Sequence, residues 1–203
     1  KSLPEGSAPM RVPPAEVALI AVLRFIEREP YHWPVGRVTF QKLAYFATQA
    51  GLPTGLEFRR GSYGPFAEGV KRMESRLVNN GLVVEERQGR MLEMRTGPTY
   101  RDAVTKYKDD LETWRAEIGR VSDLLLRANT KRAEVLATAH FAATELTHDS
   151  SGVPSEDEVV ESVLAWKVRR KPPLTREEVE DAVRMLNLLG WIKATPSSSI
   201  DPD

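Results

Sequence analysis

Between Val104 and Leu125 the chain repeats apolar residues at alternating spacings of three and four: Val104, Tyr107, Leu111, Trp114, Ile118, Val121 and Leu125. An α-helix brings such positions onto one face, so the segment predicts a long helix with one apolar seam that something must cover. Either the rest of the fold covers it, or the seam pairs with another copy, since the repeat is near the minimum length of a coiled coil. "TGPTY" breaks the chain before this helix, and the segments on either side must be read in relation to it.

Upstream, Pro14–Glu29 is nearly continuous helix former with apolar positions on more than one face, which predicts a buried helix. Phe40, Leu43, Ala44 and Ala47 place a second helix over 39–50, stopped by Gly51 and Pro53. Phe66, Val70, Met73 and Leu77 form the stripe of a third, from about Phe66 to Asn80, ended by Gly81. The period then changes to two. "LVVEE" and "MLEMR" around "RQGR" predict a β-hairpin. Three helices and a hairpin are the outline of a winged helix.

Downstream, Lys131–Leu146 is an alanine-rich helix and "HDSSGVP" a loop. Ser155-x-x-Glu158 and Thr175-x-x-Glu178 are capping boxes that open two more helices, the first ending before "KPP" at about Lys171. "MLNLLGWIKAT" resembles "RLVNNGLVVEE" in running from a leucine through glycine into an apolar, strand-like tail. The expected fold is therefore mainly α with small β-hairpins: two winged-helix-like three-helix lobes joined by a long helix. The boundaries are a linker over 1–13, an N-terminal lobe over 14–96, a connecting helix over 97–130, a C-terminal helical lobe over 131–195 and a disordered tail over 196–203.

Composition narrows function. Of 203 residues none is cysteine, which excludes disulfides, thiolate metal sites and cysteine nucleophiles and fits a cytoplasmic protein. The longest apolar run, Val17–Leu23, falls far short of the roughly 20 residues of a membrane span, so no membrane association is expected. Net charge is zero, with a slight basic excess in residues 1–100 balanced by an acidic one in 101–203. DNA-binding domains usually carry a clear basic excess, so only weak DNA binding is expected. His32, His140 and His148 lack metal-ligand spacing, and no nucleophile elbow, dinucleotide fingerprint or phosphate loop occurs. The expectation is a non-enzyme without metal or cofactor.

The most unusual local chemistry is "RRGSYGPF", Arg59–Phe66. Gly61 and Gly64 permit positive φ and Pro65 restricts it, so Tyr63 is held rigidly beside Arg59 and Arg60. This is either an interface hot spot or a helix-entry turn whose Tyr63 and Phe66 pack inward, and both hold together if Phe66 is in the core and Tyr63 at the surface. The cations Lys167, Arg169, Arg170 and Lys171 read as the last turn of a helix, complementing its dipole. Glu156, Asp157 and Glu158, then Glu177, Glu178, Glu180 and Asp181, occupy first turns, where they either complement the dipole or imitate phosphates toward a basic cleft.

"FQKLAYFATQAG" followed by "LEFRRGSYGPFAEGVKRM" resembles the C-terminal domain of DarG antitoxins, in which a "KLxYF" helix precedes "GxYGPYA"; Phe66 stands here for the usual tyrosine. It is also similar to the broader SocA-like, Panacea antitoxin domains. The resemblance covers about Phe40–Met73. It implies a bacterial toxin–antitoxin system: DarG proteins join a macrodomain that removes ADP-ribose from DNA to a domain that blocks DarT, a toxin that ADP-ribosylates DNA bases. This chain has no macrodomain-like phosphate-loop sequence, so the resemblance implies the toxin-binding half, with a DarT-type toxin as partner. Tyr63, Gly64 and Pro65 match the motif directly and Phe66 with the noted change. Arg59, Arg60, Glu156, Asp157, Glu177, Glu180 and Asp181 complete the expected contact set, the acidic residues on the charge argument alone. The rival reading is a winged-helix transcriptional regulator in which Arg59, Arg60, Lys71, Arg72 and Arg76 face DNA.

Overall fold

The computed structural model describes residues 11–150 and 152–197. The expected linker up to residue 10, Ser151 of the expected loop and the tail from residue 198 lie outside the described residues. In chain order the elements are α1 (Pro14–Arg28), α2 (Arg37–Gln49), β1 (Arg59–Gly61), β2 (Gly64–Phe66), α3 (Glu68–Asn79), β3 (Val83–Gln88), β4 (Met91–Thr96), α4 (Tyr100–Lys106), α5 (Lys108–Thr113), α6 (Arg115–Leu125), α7 (Thr130–Asp149), α8 (Glu156–Trp166) and α9 (Arg176–Leu188). The protein is mainly α with two small antiparallel hairpins. These elements form two compact units. One comprises the residues up to Phe58 together with Ala67–Ala128; the other comprises Arg59–Phe66 together with the residues from Asn129 onward. The second unit thus includes a segment that the sequence boundaries assigned to the 14–96 lobe, and the first includes most of the segment read as a connector.

In the first unit α1 is the central element. Pro14 starts it with a pre-set φ, and Val17, Ala18, Leu19, Ile20, Val22 and Leu23 are all fully buried. Around it pack α2, β4 and the helices α4–α6. On α2, Phe40, Leu43, Ala44 and Ala47 are buried as their spacing predicts, and Gly51, at φ 109, ends the helix. One ion pair links α1 to α3: Arg76 donates to both oxygens of the buried Glu16, at 2.8 and 2.6 Å. β3 and β4 pair in continuous register from Val83↔Thr96 to Gln88↔Met91. The hairpin's base is closed by Met94 N donating to Val35 O at 2.8 Å and Thr96 N donating to Glu27. Gly97 beside it has to be glycine, because a Cβ would meet Gly81 O at 2.2 Å.

The seam helix departs from its expected form. It is interrupted at Tyr107 and Trp114, whose backbones leave the helical region at φ/ψ −109/28 and −97/13. Both are seam residues, seven apart. A straight helix drifts about 20° per heptad away from a strict seven-residue repeat, so a single rod would carry the seam off its partner. Two local breaks, one heptad apart, reset the phase. The seam faces inward: Val121 and Leu125 are buried, α6 packs on α1 and α2, and Tyr107 donates its hydroxyl to Val12 O at 2.8 Å. Val104, Leu111, Trp114 and Ile118 are half-buried.

The second unit is built on α7, opened by Asn129, whose side chain accepts from Arg132 N. Ala133, Ala137, Ala139, Ala142 and Ala143 are buried, and these small side chains let α8, α9 and β2 approach closely. Both capping boxes form with the pairs read from sequence, Ser155 with Glu158 and Thr175 with Glu178. Three expectations need correction. Residues 191–195 form no strand, only a bridge of Thr195 to Ser155; the unit's hairpin is β1–β2 instead. α8 stops at Trp166, so Lys167, Arg169, Arg170 and Lys171 lie beyond its last turn and do not cap its dipole. Phe66, read as core and as the start of α3, lies on β2 and is 38% exposed, because strand alternation points its side chain to the face opposite the buried Pro65.

Candidate functional site

Residues 59–66 form a hairpin in register Arg59↔Phe66, Arg60↔Pro65 and Gly61↔Gly64, with Ser62 and Tyr63 at its tip. Its glycines have separate reasons. Gly64 sits at φ 95, a conformation that L side chains rarely adopt. At Gly61 a Cβ would stand 3.0 Å from both Gly64 O and Phe66 Cβ, so the strands could not close.

Three main-chain pairs would not hold so short a hairpin. Side chains from α7, α8 and Lys167 just beyond α8 do. Trp166 Nε1 donates to Gly61 O at 3.2 Å, and Lys167 Nζ donates to Ser62 O at 2.8 Å. Arg60 lies 4.4 Å over the Trp166 ring, and its Nε and Nη2 reach Glu145 Oε1 at 2.9 and 2.8 Å. Phe141 meets the same indole edge-on at 5.7 Å.

Behind these contacts is a buried charge cluster. Glu134, 2% exposed, accepts from Lys167 at 2.7 Å and from Arg170 through Nε at 3.1 Å and Nη2 at 3.3 Å. Burial alone would raise the Glu134 carboxyl, but the hydrogen bonds and charges of Arg170 and Lys167 hold it below the usual carboxylate range. The Lys167 ammonium is pushed down by its own burial, with Glu134 opposing. The cluster therefore fixes the lysine that holds the tip.

What the fastened hairpin presents is Tyr63, 62% exposed, with Phe66 partly exposed beside Arg59 in the register. Of the residues singled out in sequence, Tyr63 is displayed, Gly64 and Pro65 are buried supports, and Arg60 is engaged in fastening. Arg59 is exposed on β1. The acidic residues divide similarly. Glu156 accepts from Asn187 at 3.0 Å, and Glu180 lies 3.7 Å from Arg176. Asp157 is half-buried, whereas Glu177 and Asp181 are exposed. Glu134, Glu145 and Trp166 escaped the sequence reading, and Lys167 was read there only as a cation complementing a helix dipole. One signal was available: Glu134 interrupts an otherwise small and apolar stretch, "AEVLATA", where an ionised group needs a partner, and "KVRR" is the nearest supply downstream.

Among its buried carboxylates the first unit holds Glu74. Burial raises Glu74 on α3 to about 7; Arg37 and Lys71 pull it down and Glu85 on β3 pushes it up. Among the described residues no cluster of three histidine, aspartate or glutamate side chains could hold a metal. No described helix is long and apolar enough to cross a membrane.

No family model matches the chain. It is similar to a protein named DNA ADP-ribosyl glycohydrolase from Thermus aquaticus strain ATCC BAA-2747 / Y51MC23, at 30% identity over 110 residues. The match covers 54% of this chain and 31% of that relative.

Proposed function

We propose that this chain is an antitoxin domain that binds and neutralises a DarT-type DNA ADP-ribosyltransferase. It acts by contact alone, without hydrolysing ADP-ribose itself. The similarity to a DNA ADP-ribosyl glycohydrolase supports placing the chain in that chemical setting. The observation that carries the contact reading is the fastened hairpin: a rigid turn, anchored through the carbonyls of Gly61 and Ser62, that leaves the ring of Tyr63 exposed. A preorganised aromatic is what a binding hot spot requires, because little ordering entropy remains to be lost on association.

A toxin that modifies DNA offers its substrate a basic groove, and an inhibitor competes by placing carboxylates where phosphates would lie. On α8 and α9 we assign that role first to Asp157, Glu177 and Asp181; Glu156 and Glu180 are engaged locally and contribute less. The test is inhibition of the toxin's DNA modification by purified domain at several DNA concentrations. Competitive inhibition that weakens with Tyr63→Ala supports the whole reading. Inhibition whose apparent constant is unmoved by DNA overturns mimicry alone, and absence of a complex with the toxin overturns both.

A further inference from the structure

We propose that the first unit carries a duplex-DNA-binding face of its own, formed by the outer side of α3 and the tip of the β3–β4 hairpin. Zero net charge argued against this at the level of composition. The arrangement of partners changes the account. Four acids of the unit, three of them on the β3–β4 hairpin, are paired from within it: Glu16 with Arg76, Glu85 with Arg37 at 3.6 Å, and Glu86 and Glu93 with Arg95 at 3.3 and 3.2 Å. Arg76, which the DNA-binding reading of the sequence would have used, is thereby withdrawn. Other cations remain. Val70, Met73 and Leu77 are buried on one side of α3, which leaves Glu68, Lys71, Arg72, Ser75 and Asn79 on the opposite, exposed stripe at helical spacing. Lys71 and Arg72 form no ion pair with the described residues, and neither do Arg87 and Arg90, exposed on either side of Gly89 at the hairpin tip.

β3 follows α3 directly and packs on it. The helix therefore offers two cations with an asparagine, able to reach phosphates and base edges in a major groove, while the Ser75 hydroxyl donates back to Lys71 O at 3.2 Å; the hairpin offers two arginines for the adjacent backbone.

The test uses the full chain without toxin, so its outcome is independent of the antitoxin reading. Fluorescence anisotropy with a labelled random duplex of about 30 base pairs is followed from roughly 50 to 200 mM salt; four phosphate contacts predict roughly a 100-fold loss of affinity across that range. Lys71→Ala with Arg72→Ala, and separately Arg87→Ala with Arg90→Ala, should each reduce the slope of log affinity against log salt by about half. Arg169→Ala with Lys171→Ala, exposed in the second unit, should leave it unchanged. All six positions are on the surface, and circular dichroism checks that each variant is folded. No salt-dependent complex at the lowest salt, a slope insensitive to either of the first two pairs, or an equal effect of the control pair would overturn the proposal.

Discussion

The two hairpins solve one problem in opposite ways. β3–β4 has six-residue strands in continuous register, and its base is tied by main-chain groups to Val35 and by a carboxylate of α1. β1–β2 has three-residue strands and depends on an indole, an ammonium and a guanidinium supplied by side chains. A buried carboxylate accompanies each. Glu134 faces two cations and is held ionised, whereas Glu74 has no such clasp and is raised to about 7. A hairpin with long strands tolerates an imperfectly compensated charge on the helix beside it. A hairpin with almost no ladder of its own needs its buried charge fully paired.

The sharpest way to break this comparison is Glu134→Ala. It leaves Lys167 and Arg170 without their anion in a buried site, and removing one partner of such a cluster costs about 3–5 kcal/mol. Chemical denaturation should show that loss, and amide exchange should show β1–β2 unprotected while β3–β4 stays unchanged. Equal loosening of both hairpins would dissolve the distinction.

Titration should separate the two carboxylates next. Because folding raises Glu74, the native state binds its proton more tightly than the unfolded chain, so this group's contribution is fully present below about 4.5 and lost as pH rises toward about 7. Glu74→Gln should remove the slope. Glu134 has the opposite sign: lowered by folding, its contribution is present above the ordinary carboxylate range and lost as pH falls through it. Denaturation midpoints measured from pH 3 to 8 for the wild type and Glu74→Gln check both signs.

Tyr63→Ala should leave the melting temperature unchanged and weaken toxin binding by about 2 kcal/mol in calorimetry. Thermal destabilisation without a loss of binding would make the hairpin a structural element only. The smallest effect is expected at Phe66. A buried aromatic would cost roughly 3–5 kcal/mol on truncation, but at 38% exposure Phe66→Ala should cost less than about 1.5 kcal/mol.

What could be read in advance follows the range of the forces involved. The stripes of α2 and α3, both capping boxes and the β3–β4 hairpin depend on residues within a few positions of one another, and their periodicity or cap chemistry was visible. The breaks at Tyr107 and Trp114 were hidden, because they answer to the shape of α1 rather than to their neighbours. β1–β2 was hidden for the same reason. Its glycines and proline announced a rigid turn, but Trp166 and Lys167, which hold it, lie about a hundred residues away. Phe66 was misplaced because its spacing to Val70 fits a helix, while its pairing with Arg59 made it a strand residue.

The tip of β1–β2 is fastened through the oxygen atoms of Gly61 and Ser62, which every amino acid possesses. Neither the hydroxymethyl group of Ser62 nor the phenol of Tyr63 takes part in those two bonds. Mounting and display are thus assigned to different atoms, and the displayed pair can change identity without disturbing its mount. Under the proposed toxin-binding role, substitutions at positions 62 and 63 would change the contact chemistry while leaving the two bonds that mount the turn as they were.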